Sequence, residues 1–141
     1  MIPCAESHLR FANKTYEAEY IYWRKMTSKD DPLKEQVTDQ QAIDLIRDAL
    51  GSDWQYKRTH GLRNGTCYTI SKRICLGREA PKWILLHELG HGFSGHHGHN
   101  ARFRGSYLEM LRRYGSAEHA DGLEQVFSHM RLSIENPVTP T

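Results

Sequence analysis

The chain has 141 residues, 38% of them hydrophobic and 26% charged, with a formal net charge of +2. That length suits one domain, residues 1–141, around one modest core. Charge this mild gives little reason to expect a nucleic-acid partner, and no apolar run approaches the roughly 20 residues of a membrane span. Residues 1–6 lack the basic and apolar regions of a signal peptide, so a cytoplasmic protein with Cys4, Cys67 and Cys75 reduced is expected.

Residues 7–27 read as a first helix with Ser7 as N-cap. Leu9, Tyr16, Tyr20 and Trp23 fall near helical spacing, and its tyrosines read as packing. Residues 28–37 carry Lys29-Asp30-Asp31-Pro32, a loop or linker signal. Thr38 and Gln41 form a capping box for a second helix with a broad apolar stripe, which Gly51 stops.

From Trp54 the hydrophobic period changes. Residues 54–59, 66–70 and 73–76 read as three short strands. Asn64-Gly65 is a hairpin signal, so a small antiparallel sheet is expected. A two-residue turn at Ser71-Lys72 would set Tyr68 opposite Cys75 and aim Cys67 and Cys75 at opposite faces. Pro81 then suits the first turn of a helix. On that helix Leu85, Leu86, Leu89 and Phe93 make one apolar face, and Trp83, Ile84, His87 and His91 make another. A helix apolar on both sides is buried, and its histidines need partners. Gly92, Gly95 and Gly98 are expected to break it. Asn100 caps the next helix, about 101–114, with Phe103, Tyr107, Met110, Leu111 and Tyr114 inward. A last helix runs from Ser116 to about Met130, and residues 134–141 read as a frayed tail.

Five of the nine histidines lie between His87 and His99. His87-Glu88-Leu89-Gly90-His91 has the HExxH pattern. Residues four apart share a helix face, so His87 and His91 can hold one metal ion. Glu88 lies about 100° round the helix from His87 and about 60° from His91, where it can take a proton from water without being a ligand. A shuffled chain of this composition would hold the pattern roughly 0.04 times, so context has to carry the reading.

A catalytic zinc keeps three protein ligands and an open position. Glu109 is set aside because it faces away from Phe103 and Tyr107. His97 gives metzincin-like spacing, but Ser94 stands where that pattern needs glycine. His99 is the choice the residues favour, because Phe103, one turn into the buried stripe, would anchor the helix that follows it. His97, and after it His96, stay as alternatives. Tyr107, Tyr114 and His119 are candidates for stabilising an oxyanion.

The HExxH stretch, then His99-x-x-x-Phe103 and Tyr107-Leu108-Glu109-Met110-Leu111-Arg112-Arg113, resembles minigluzincin and SprT-like zinc peptidases. It is most similar to a group of small metallohydrolases of actinobacteria and their phages, in which an HELAH helix precedes an HGPxF segment. Gly90 stands here for the usual alanine, which loosens the helix slightly, and Asn100-Ala101 stands for Gly-Pro. The resemblance implies an α+β, zincin-like fold, with a small antiparallel sheet packed with four to five helices and the motif on a central buried helix. It implies one Zn2+ per chain on His87, His91 and His99, with Glu88 as catalytic acid/base acting on a peptide or protein substrate. The rival is a non-enzymatic module with a closed structural zinc site. A DNA-associated protease is a weaker reading, resting on the clusters Arg102/Arg104 and Arg112-Arg113.

Overall fold

A computed structural model describes residues 13–61 and 64–137. Ser7, Leu9 and Cys4, named above, lie outside them. Helix α1 spans Lys14–Tyr20 and passes into a wider π-helical turn at Ile21–Met26. Its described start is capped by Asn13, whose Oδ1 accepts from the backbone N–H of Thr15 (2.9 Å) and Tyr16 (3.3 Å). Thr15, Ala18, Glu19, Tyr22 and Trp23 point inward.

The segment read as a linker is part of the packed structure. A 3-10 turn at Pro32–Lys34 buries Leu33, and Val37 is also buried. Backbone hydrogen bonds from Val37 to Ala80 and from Lys82 to Glu35 hold it against the start of the motif helix. Helix α2, Asp39–Leu50, has the capping box in full: Gln41 N donates to Thr38 Oγ1 and Thr38 N to Gln41 Oε1. Gly51, at φ +108°, ends it.

The sheet departs from expectation. Strands β1 (Gln55–Arg58), β2 (Gly65–Tyr68) and β3 (Arg73–Leu76) lie in the order β1-β3-β2. β2 pairs antiparallel with β3, but β1 pairs parallel with it, so the sheet is mixed and Asn64-Gly65 closes no β1–β2 hairpin. The reason is burial. Ile74, Cys75 and Leu76 form a continuous buried run, as a central strand should. The alternating, half-exposed β1, with Lys57 and Arg58, suits an edge. The β2–β3 turn is longer than two residues. It pairs Cys67 with Ile74 and Thr66 with Cys75, so the two thiols still face opposite ways, and both are free.

Helix α3, Lys82–Ser94, carries the motif and is buried along Ile84–His91. It runs through Gly92, which does not break it. Gly95, left-handed at φ +76°, is the stop. Helix α4, Ala101–Tyr114, packs across α3, and Asn100 caps it by accepting from Phe103 N (3.0 Å). Gly90 allows this close crossing: a Cβ there would lie 3.1 Å from Phe103 Cε1 and from Tyr107 Cα. Helix α5, Ala117–His129, follows a Ser116 cap.

The described part of the tail is not frayed. Residues 133–135 lie along the first half of α4. Leu132 N bonds Phe127 O, Glu135 N bonds Ala101 O, and Arg104 Nε donates to Ser133 O (2.8 Å). A Cβ at Gly105 would run into the Glu135 carbonyl, so a glycine on α4 makes room for this strap. The described residues thus form an α+β structure of five α-helices and a three-stranded mixed sheet, with α3 in the middle of the core. None of its helices is long and apolar enough to cross a membrane.

Candidate metal centre

Helix α3 presents His87 and His91 one turn apart, both about 95% buried. Gly95 then reverses the chain, and the short loop to Asn100 returns His99 to the same place. His99 Nε2 lies 3.2 Å from His87 Nε2 and 3.1 Å from His91 Nε2. The three residues offer ligand atoms all within 4.8 Å of one another and could hold a metal ion.

A tetrahedral metal with M–N bonds of about 2.0–2.1 Å would set its ligand nitrogens about 3.3–3.4 Å apart, and the two separations from His99 Nε2 are close to that. Burial also keeps the lone pairs free. It holds His87 and His91 down to about 3, the latter helped by His87, and holds His99 down to about 2 with help from His87, His91 and Arg104. Neutral imidazole is the form that binds a metal.

The other ring nitrogens decide which tautomer each histidine adopts. His91 Nδ1 donates to the His96 carbonyl at 2.7 Å. His87 Nδ1 lies 2.7 Å from Glu19 Oε2 on α1, 68 residues away in sequence. Glu19 is buried, and burial pushes its carboxyl well above the usual range. A dication at Nε2 favours the proton on Nδ1 and the charge on Glu19, the carboxylate–histidine–metal arrangement. His99 is the exception. Its Nδ1 faces Asn13 Nδ2 at 2.9 Å, a donor, while Asn13 Oδ1 is occupied with capping α1. Binding through Nε2 requires that this amide turn or give way.

The rings around the triad are apolar. Phe103 stacks on His91 (4.2 Å between centroids, 24°), as expected of the residue that anchors α4. Half-exposed Tyr16 lies 4.4 Å from the His99 ring and stacks on His87 at 5.9 Å. Glu88 is 6% exposed and abuts strand β2: a Cβ at Gly65 would lie 3.1 Å from its Cγ. Burial, then the Glu19 carboxylate, pushes Glu88 up to about 8.

Of the other sequence candidates, Tyr107 lies against the triad, its ring 5.4 Å from that of His87 and its hydroxyl hydrogen-bonded to Glu19, and the rest fall elsewhere. His97 does not join the cluster; its Nδ1 lies 3.4 Å from Thr69 Oγ1 on the β2–β3 turn. His96 turns its ring toward Arg102. Glu109 pairs with Arg113 at 2.8 Å. The Tyr107 hydroxyl accepts from Trp23 Nε1, the Tyr114 hydroxyl donates to Asp48, and His119 sits between Asp31 and Tyr22. Of the two arginine clusters, Arg112 pairs with Glu124 and Asp121, and Arg104 is buried.

Glu19 is the functional residue that sequence reasoning missed. The signal was present: a carboxylate on the apolar stripe of α1, between Ala18 and Tyr22, needs a buried partner. No family model, curated protein or solved structure matches the chain.

Proposed function

We propose that this chain is a zinc-dependent metallohydrolase of the zincin type, acting as a peptidase on a peptide or protein substrate. The observation that carries the reading is the convergence of the imidazoles of His87 and His91, buried, and His99, half-buried, whose ligand nitrogens all lie within 4.8 Å of one another and whose His99 Nε2 is 3.2 and 3.1 Å from the other two. No fourth histidine, carboxylate or thiol joins them among the described residues, which favours an open catalytic position over a closed structural site.

A bound zinc would supply Lewis acidity, polarising a carbonyl oxygen and acidifying water. Glu88, next in the chain to His87 and on the same helix, would take the proton and return it to the leaving amine. A group held up to about 8 by burial drops toward ionisation when a dication is placed beside it, which suits a base that must later act as an acid. β2, an edge strand of the described sheet, runs past Glu88 at Gly65, where an extended substrate peptide would add by backbone hydrogen bonds.

Zinc content and hydrolysis of denatured casein test the two roles separately. Glu88→Gln should keep about one zinc per chain while losing roughly 10²–10⁴-fold in rate. His87→Ala should lose the metal. The proposal fails if the purified protein carries no zinc and binds none at micromolar concentration.

A further inference from the structure

Arg104 takes a cation into the core, where no acid among the described residues meets it. It lies on α4 one turn past the Asn100 cap and is 9% exposed. Among the described residues no carboxylate pairs with it. Its partners are oxygens of three separate segments. Nη1 donates to the His99 carbonyl (2.7 Å) and to Thr15 Oγ1 on α1 (3.0 Å), and Nε donates to the Ser133 carbonyl of the strap (2.8 Å). Thr15 Oγ1 donates in turn to the same His99 carbonyl at 3.0 Å.

A buried cation met, among the described residues, by neutral oxygens alone is a costly way to pack a helix, and an apolar side chain would fill the space at less expense. What the cation adds is direction. The loop from Gly95 to Asn100 contains two glycines, and a Cβ at either Gly95 or Gly98 would meet nothing within 4 Å. Packing alone therefore leaves the backbone at His99 loosely placed, yet two donors from different helices converge on its carbonyl.

We propose that Arg104 is a positioning residue for the third metal ligand: with Thr15 it pins the His99 carbonyl so that His99 Nε2 meets those of His87 and His91. The proposal rests on the metal-centre reading above. It makes the strap part of the site, because Ser133 holds the same guanidinium.

A double-mutant cycle on the full chain tests it, reading zinc Kd by competition with a chromophoric chelator. Arg104→Met should weaken zinc binding about 10–100-fold, the usual loss for a group supporting a ligand. Added to His99→Ala, the same change should weaken it no further. Thr15→Val keeps shape and fold while deleting one donor, and should give a smaller loss that also vanishes beside His99→Ala. Equal losses with and without His99 would mean general packing and overturn the proposal, as would an unchanged Kd in Arg104→Met. If the wild type and His87→Ala both fail to bind zinc, the metal-centre reading itself falls, and the proposal with it.

Discussion

Replacing Glu19 with glutamine separates a metal-supporting role from a structural one. The side chain keeps its size, and its Oε1 can still accept from His87 Nδ1 at the observed 2.7 Å, while the charge is lost and the second oxygen becomes an NH2 that the Tyr107 hydroxyl can accept from. A hydrogen bond to a charged group contributes about 1.5–3 kcal/mol and a neutral one about 0.5–1.5. The difference, about 1–1.5 kcal/mol, predicts a 5–10-fold rise in zinc Kd. The metal-free protein should respond in the opposite sense. Burial holds Glu19 well above its unfolded value, so near neutral pH the fold bears a cost for this group that glutamine lacks. Glu19→Gln should therefore weaken zinc binding while leaving the metal-free urea midpoint unchanged or higher. Chelator competition and urea unfolding on one preparation measure both. A midpoint that falls in step with affinity, or a Kd within twofold of wild type, would refute the role assigned to Glu19.

Asn13→Asp should tighten zinc binding several-fold in the same competition assay. A carboxylate caps α1 as well as asparagine does and can also accept from His99 Nδ1, which the present amide does not. Gly105→Ala should cost about 1–3 kcal/mol in urea unfolding, because its Cβ collides with the Glu135 backbone and lifts the strap from α4. Metal-free stability should peak near pH 6.5. Above that, the folded state keeps protons on Glu88, raised to about 8, and on Glu19, which the unfolded chain has released, so stability falls as pH rises. Below it, the unfolded chain protonates three histidines that the fold holds neutral, so stability falls gently, then steeply once its carboxylates protonate below about 4.5. A metal-free urea midpoint that climbs steadily to pH 8 contradicts this.

Much of the molecule was legible in the residues because its rules are local. The capping box at Thr38, the Asn100 cap and the span of α4 follow from side chains within four residues of one another. So does the shared face of His87 and His91, which needs only helical periodicity. Choosing His99 over His97 was half local: Phe103 anchors α4, but only the αL turn at Gly95 shows which ring comes back to α3.

What the tertiary structure alone decided involves distant partners competing for the same buried space. The central place of β3 depends on which strand is apolar throughout, and a hairpin signal between β1 and β2 carries no information about that competition. The strap is held by α4 through Gly105, which nothing in the sequence marks, and Arg104, which reads there only as part of the Arg102/Arg104 cluster. Glu19 meets His87 across 68 positions, and Arg104 meets Thr15 across 89. Periodicity marks which side chains turn inward; which of them meet is set by how the elements pack, and in this chain Thr15 of α1 and Arg104 of α4 meet where the third histidine returns.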